Sequence, residues 1–301
     1  MKSHILIVDD DTAIRDSLYK FLEHAGFVVK TTYCAEEALE FLQKNTFSIV
    51  LADIKLPGLN GLELTESITK DFDTDVIVMT GYSIDYSYEE AIQKGASDFV
   101  FKPIRFEELL LRLKRVLKER KTRIEHIRMM EKLQMLAITD GLTKLYNSRY
   151  FYSQLEIEIN RSNRYNHPLS LLLLDLDHFK QYNDVSGHLE GDKILYKLGQ
   201  IIISCLRKMD TAYRYGGEEF TIILPETNGK EAKAVAERIK AAVENTNFPR
   251  NVNKTKPITV SVGATEYCQT EQLSDFVKRA DKAMYTSKKK GRNRVSYLFA
   301  K

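Results

Sequence analysis

The sequence predicts two α/β units in series, joined by one long amphipathic helix. Three observations point to this. Five strand-length apolar runs alternate with helical patterns over the first third of the chain. A stretch without Pro or Gly, rich in Leu, Lys, Arg and Glu, follows from about Arg105 to Ile138. A second series of strand candidates fills the remainder. A length of 301 residues fits two domains, each able to bury its own core.

The first strand candidates are Ile5 to Val8, Phe27 to Thr32, Ser48 to Ala52, Val76 to Met79 and Asp98 to Phe101. Gly26 terminates the helix after the first of them. Five strands separated by helices predict a parallel, doubly wound sheet, whose chemistry collects at the carboxyl ends of the strands. In the linking stretch, Leu110, Leu117 and Ile124 recur at heptad spacing, with Leu113 and Ile127 between them and Arg120 interrupting. That periodicity predicts a coiled-coil dimer seam. The plainer reading is a last helix packed on its own sheet, followed by a solvated linker. The pattern runs past the length that one domain covers, which favours the seam. In the second unit the strand candidates are Leu169 to Asp177, Thr211 to Tyr215, Glu218 to Leu224, Ile258 to Thr265 and Arg294 to Leu298. Gly216-Gly217, between two of these, is a hairpin signal.

The net charge of +3, with both signs mixed along the chain, gives no support for a nucleic-acid surface. Three cysteines far apart in the chain, Cys34, Cys205 and Cys268, fit a reducing compartment better than a disulfide framework. No Cys/His group has zinc-ligand spacing. The N-terminus, Met1 to His4, does not resemble a signal peptide, and the longest apolar stretch, around Leu171 to Leu174, is far short of a membrane span. The expectation is a soluble, cytoplasmic protein with neither a nucleic-acid nor a membrane partner.

Asp9, Asp10 and Asp11 follow the first strand, and Asp53 ends the third, before Lys55-Leu56-Pro57-Gly58. Thr80 ends the fourth strand and Lys102 ends the fifth. All of these fall at carboxyl ends, so they can converge on one rim. Crowded carboxylates repel unless a cation joins them, and Mg²⁺ suits oxygen ligands. A carboxylate beside Mg²⁺ can attack phosphorus to form an aspartyl phosphate, with a hydroxyl and an ammonium holding the new oxygens. Four such elements in order on five strands resemble the receiver domains of bacterial two-component response regulators, over residues 1 to about 120. The resemblance implies a flavodoxin-like domain in which a histidine kinase phosphorylates Asp53. Asp9, Asp10, Asp53 and the carbonyl of Lys55 would then hold one Mg²⁺, and Thr80 and Lys102 would contact the phosphoryl group. Phe99 matches the family's switching aromatic.

The sharpest string is Arg214-Tyr215-Gly216-Gly217-Glu218-Glu219-Phe220. Two glycines at a hairpin tip let the backbone approach a phosphate closely, and the two glutamates point to opposite faces of a strand. Asp175 and Asp177 end the long apolar strand on one face by period two. If that strand lies beside the hairpin, Asp175 and one glutamate can share divalent cations that neutralise a triphosphate. Lys180 lies just beyond and can stabilise developing charge.

The string resembles the GGDEF signature of diguanylate cyclases, here in Gly-Gly-Glu-Glu-Phe form. The similarity runs from Asp140-Gly141-Leu142-Thr143-Lys144-Leu145-Tyr146-Asn147 through Asp175-Leu176-Asp177-His178-Phe179-Lys180, Asn183-Asp184, Gly187-His188 and Gly191-Asp192. It ends with Ala283-Met284-Tyr285 and Lys288 to Asn293. This resemblance implies a nucleotidyl-cyclase palm that joins two GTP molecules into cyclic di-GMP as a homodimer, with two Mg²⁺ per site. Asp175, the carbonyl of Leu176, Glu218 and Glu219 would bind metal, with Glu218 also the base and Glu219 and Lys180 assisting catalysis. Asn183 and Asp192 would read guanine, Phe179, Gly216 and Gly217 would line the substrate, and Lys288 and Arg292 would hold its terminal phosphates. Ser148 departs from the basic residue usual before Arg149, a change expected to touch regulation more than chemistry.

Arg207-Lys208-Met209-Asp210 is an Arg-x-x-Asp string, and five residues separate Asp210 from Gly216. An Arg can grip guanine O6 and N7 bidentately. The bland reading is a surface ion pair. The spacing resembles the family's inhibitory product site, which implies roles for Arg207, Asp210, Arg238 and, from a neighbouring protomer, Arg149. The expected layout is a receiver domain over 1–120, a helical linker over 105–139 and a cyclase domain over 140–301. Two rivals stand beside it: a catalytically inactive cyclic di-GMP-binding response regulator, and a regulator acting on DNA. Asp175, Lys180, Glu218 and Glu219 speak against the first, and the absence of a helix-turn-helix pattern against the second.

Overall fold

The computed structural model describes residues 3–81, 88–248, 257–269 and 271–299. Met1 and Lys2, part of the N-terminal stretch considered above, lie outside the described residues. The chain divides into two compact units, Met1–Met130 and Glu131–Lys301.

The first unit runs β1 (His4–Val8), α1 (Thr12–His24), β2 (Val28–Thr32), α2 (Ala35–Lys44), β3 (Ile49–Asp53), α3 (Gly61–Asp71), β4 (Asp75–Thr80), α4 (Tyr88–Gln93), β5 (Asp98–Phe101) and the start of α5 (Phe106–Ile138). Its strands form a parallel sheet in the order β2-β1-β3-β4-β5. Both faces are covered, which is why the inner strands β1, β3 and β4 read as nearly unbroken apolar runs, while the edge strand β2 is only partly buried. Leu6, Val8, Val50, Ala52, Val76 and Val78 pack with residues of α2 and α3, including Ala38, Leu62 and Ile68. The alternate residues Ile5, Ile7, Ile49, Leu51, Ile77 and Met79 pack with Leu18 and Leu22 of α1 and Leu109, Leu113 and Val116 of α5.

The start of α5 therefore belongs to the sheet. Leu113, assigned by its spacing to a dimer seam, is fully buried in the core of this unit, and Leu117 packs against the same cluster. Arg120 interrupts the heptads because it has a partner: its guanidinium donates to Asp75 at 3.0 Å and to Asp73 at 2.8 Å. Arg123 adds a contact to Asp75 at 2.9 Å, and Asp98 accepts from Arg112 at 3.0 Å and Arg115 at 2.8 Å. Farther along, Ile127, Met129, Met130, Leu133, Met135 and Leu136 are exposed.

The second unit continues with β6 (Tyr146–Asn147), α6 (Ser148–Tyr165), β7 (Leu169–Leu176), α7 (Phe179–Ser186), α8 (His188–Ser204), β8 (Thr211–Gly216), β9 (Glu219–Pro225), α9 (Gly229–Glu244), β10 (Val260–Glu266), α10 (Leu273–Lys289) and β11 (Val295–Tyr297). The sheet order is β11-β10-β7-β9-β8-β6. β7 is central and antiparallel to both β10 and β9, and β8-β9 is the hairpin expected at Gly216-Gly217. Leu172, Leu174 and Ile222 face Leu195, Leu198, Val235 and Ile239 of α8 and α9. Leu171, Leu173 and Ile223 face Phe151 and Leu155 of α6 and Phe276 and Ala280 of α10. Gly263 in β10 allows α10 to lie against the sheet: a Cβ there would stand 2.2 Å from the nitrogen of Met284 and 2.3 Å from the carbonyl oxygen of Ala280.

Asp75 is the point at which two α5 arginines are neutralised. Replacing it with Asn removes one of the two carboxylates that Arg120 faces, leaving Asp73, and is expected to destabilise the first unit by about 1–2 kcal/mol. Chemical denaturation followed by circular dichroism checks this, and proteolysis within 117–130 should accelerate in parallel.

Candidate active site

The first unit gathers its polar residues where the strands end. Asp9 is fully buried just past β1, Asp53 is buried at the end of β3, and Asp10 is exposed. One carboxylate oxygen from each lies within 4.8 Å of the others. Lys102, just past β5, donates to Asp9 at 2.8 Å and to Asp53 at 2.7 Å. Burial works against the charged Lys102, but its bonds to Asp53 and Asp9 prevail and hold its pKa above the ordinary lysine value. Burial also raises the pKa of Asp9, in spite of Lys102. One ammonium among three carboxylates leaves negative charge uncompensated, and a hard divalent cation fits such an oxygen-only donor set.

Asp11 does other work. Its side chain caps α1 by accepting from the amides of Ala13 and Ile14. Arg15, which had no role in the sequence reading, donates to the carbonyl of Asp9 at 2.6 Å and so fixes the acidic loop. Thr80 is buried at the end of β4 and donates to the carbonyl of Gly81, and Lys55 is exposed beyond β3. Phe99 is buried and packs edge-on against Phe101, with centroids 4.9 Å apart. Gly61 opens α3 against the backbone of Asp53, where a Cβ would meet the Asp53 carbonyl oxygen at 1.9 Å.

In the second unit, β7 and β9 pair so that Asp175 stands opposite Glu219. β9 begins at Glu219, which leaves Glu218 in the turn rather than in the strand expected for it, and the carbonyl of Glu218 accepts from the amide of Leu176 at 3.3 Å. Asp175 is buried, and Lys288 at the end of α10 lies 2.6 Å from it. Burial raises the pKa of Asp175 despite Lys288, and the charges of Glu219 and Asp177 push the same way. Burial and then the charge of Asp175 raise Glu218 as well. This is again a set of oxygen donors short of positive charge, as a divalent cation requires. Asp177 lies one residue past β7, and its carboxylate is occupied by Thr259, Ser261 and the amide of Asn293.

The hairpin tip is held from the side. Arg214 donates through Nε and Nη2 to the carbonyl of Gly217, at 3.1 and 2.8 Å, and through Nη1 to Asp140 at 3.2 Å. Asp140 also accepts from the amide and hydroxyl of Thr143, each at 2.7 Å. Burial opposes its charge, but these bonds prevail and hold its pKa below the ordinary value. No local signal in the sequence joins Asp140 to Arg214, residues far apart in the chain. A side chain on Gly217 would meet nothing within 4 Å, so the tip is open.

Phe179 is buried at the start of α7, and Lys180 next to it is exposed. The Oδ1 of Asn183 is buried without a hydrogen-bond partner, close over Gly191, whose missing side chain leaves it room. Asp192 is exposed on α8, and Arg292 is exposed in the turn after α10. Asp210 accepts from the amide of Arg207 at 2.8 Å, and both line a cleft of about 400 Å³ together with Met135, Thr139 and Tyr146. Arg238, on α9, spends its guanidinium on the carbonyl of Cys205 at the end of α8, at 2.6 and 3.1 Å. Arg149 is exposed on α6.

Changing Asp140 to Asn removes the charge that Arg214 faces and frees the Gly217 tip. The expected loss is about 1–2 kcal/mol of stability in the second unit, read as a lower urea midpoint at unchanged slope.

Residues 137–294 match the family described as diguanylate cyclase, GGDEF domain, and residues 5–114 match the response regulator receiver domain. Diguanylate cyclase A of Treponema denticola is 42% identical over 165 residues, covering 54% of this chain and 44% of that protein. Response regulator PleD of Caulobacter vibrioides is 32% identical over 302 residues, covering 97% of this chain and 65% of its own length. The chain thus spans less than two thirds of either relative. The crystal structure of the coiled coil and GGDEF domain of DgcB from Caulobacter crescentus, in complex with c-di-GMP, aligns with a TM-score of 0.57 at 32% identity, over 62% of this chain and 99% of that one. With both matches on one chain and the Gly-Gly-Glu-Glu-Phe string on its β8-β9 hairpin, the protein belongs to the GGDEF diguanylate cyclase family and carries a response regulator receiver domain ahead of it.

Proposed function

We propose that this chain is a phosphorylation-activated diguanylate cyclase, which condenses two GTP into cyclic di-GMP and two pyrophosphates. The observation that carries the reading is the pairing of Asp175 with Glu219 across β7 and β9, under an open Gly-Gly tip and against Lys288. We read residues 1–120 as the receiver, 105–139 as the linker and 140–301 as the cyclase, and place the protein in the cytoplasm. Among the described residues no helix is long and apolar enough to cross a membrane.

Asp175, the carbonyl of Leu176, Glu218 and Glu219 would hold two Mg²⁺, which supply neutralising charge along the triphosphate. Glu218 takes the proton of one nucleotide's 3′-hydroxyl as general base. The 3′-oxygen forms a bond to the other nucleotide's α-phosphorus as the bond to pyrophosphate breaks, and the same event repeats in the opposite sense. Lys288 moves from Asp175 to the phosphates, joined there by Arg292, while Lys180 faces the developing charge. Phe179, Gly216 and Gly217 line the nucleotide. The unsatisfied Oδ1 of Asn183 is an acceptor waiting for a donor, and with Asp192 it matches the guanine edge.

One domain holds one GTP, so turnover needs a homodimer. The exposed Ile127, Met130 and Leu133 of α5 offer apolar surface for it. In the receiver, Asp9, Asp10, Asp53 and the carbonyl of Lys55 would hold one Mg²⁺. A histidine kinase supplies the phosphoryl group to Asp53, and Thr80, Lys102 and Phe99 respond to it. Cyclic di-GMP inhibits at Arg207 and Asp210, with Arg238 and Arg149 as further contacts.

Purified protein incubated with GTP and Mg²⁺ should yield cyclic di-GMP, and beryllium fluoride should raise the rate through Asp53 and fail to do so in D53N. The E218Q variant should lose at least about a hundredfold in kcat. In R207A, added product should no longer inhibit. A wild-type protein that binds cyclic di-GMP but never forms it is instead a catalytically inactive sensor.

A further inference from the structure

Asp177 is 1% exposed, and protein donors take up both oxygens of its carboxylate. Its Oδ1 accepts from the hydroxyl of Ser261 at 2.7 Å, and its Oδ2 accepts from the hydroxyl of Thr259 at 2.7 Å and the amide of Asn293 at 3.0 Å. Its own amide donates to the carbonyl of Thr259 at 2.8 Å. Three neutral donors converge on a buried carboxylate that the proposed chemistry does not use.

The third donor shows what the carboxylate is for. Gly291, Arg292 and Asn293 follow α10 with φ values of 112°, 65° and 46°. Two consecutive residues with side chains in the left-handed region are unfavourable on their own and persist only where the surroundings hold them. Here Arg292 donates its amide to the carbonyl of Ser287, Asn293 donates its side chain to Glu244, and the Asn293 amide is fixed by Asp177. The end of β7 thus makes two links to one segment: Asp175 to Lys288, and Asp177 to Asn293. The first is an ion pair that a cation or a phosphate can exchange. The second ends on a carboxylate that is itself buried, on an oxygen shared with the hydroxyl of Thr259.

Resting on the cyclase reading above, we infer that Asp177 is a positioning residue for the substrate's terminal phosphates: it holds the left-handed turn that presents Arg292 while Lys288 changes partners. It does so as an acceptor only. Ala at this position removes all three bonds, whereas Asn could keep the Asn293 amide on its oxygen while the Ser261 hydroxyl turns to accept from its NH₂.

The test uses the full chain. A non-hydrolysable GTP analogue is titrated calorimetrically with Mg²⁺ present, and kcat, KM and melting curves are measured alongside. D177A should weaken the analogue about tenfold and raise KM by a similar factor, with kcat falling less than about threefold. Adding N293G to D177A should recover part of that affinity, because glycine adopts the turn without strain. T259V keeps the carboxylate and removes one donor; it should weaken the analogue about threefold, and it decides the matter if D177A does not fold. A folded D177A with unchanged affinity overturns the inference, even if it melts earlier. So does a fall in kcat at unchanged KM with a higher Mg²⁺ requirement, which marks a metal ligand. If the wild type binds the analogue yet makes no cyclic di-GMP, the cyclase reading fails, and the affinities still decide the role of Asp177.

Discussion

Negative charge crowded at the ends of buried strands is the constraint on which both units depend. A carboxylate taken out of water is costly unless something positive or donating meets it. The two units meet that demand in the same way. Lys102 lies between Asp9 and Asp53 in one, and Lys288 lies on Asp175 in the other. Each lysine is long enough to leave, and each carboxylate group is short of charge even with it in place.

The scaffold keeps these charges where they are. β3 and β4 are buried along their whole length, so their polar groups have only the ends at which to emerge. The same holds for β7, whose eight residues are all buried. Beside the second site Arg214 joins the hairpin tip to Asp140, and at the opposite end of the sheet Arg279 joins Glu271 to the end of β10. Both arginines are engaged by more than one acceptor, which suits the planar guanidinium.

Much of this was legible in the sequence. Apolar runs located β1, β3 and β4, because strands buried on both faces carry no polar alternation to confuse them, and β-branched residues marked the edge strand β2. The Gly-Gly tip and the acidic strand ends were legible for a related reason: few residue types serve there. What the sequence hid depends on partners far along the chain. Leu113 has a heptad position and a core position at once, and only the packed sheet shows which one it fills. Arg120 reads as a flaw in a seam until Asp73 and Asp75 are found beside it. Asp11 stands in the same acidic run as Asp9 and Asp10, and only the amide two residues on shows that it is a helix cap. β6, two residues long, has too little pattern to be seen at all.

The bare Cα of Gly263 carries a consequence for how the second unit tolerates change. The backbone of α10 lies so close above it that a single methyl group cannot be housed without the helix lifting. Lys288 rides at the far end of that helix. A hydrogen atom in the middle of a strand thereby sets the distance over which an ammonium reaches a carboxylate, and the smallest possible enlargement of the interior would be felt as a loss of grip at the surface.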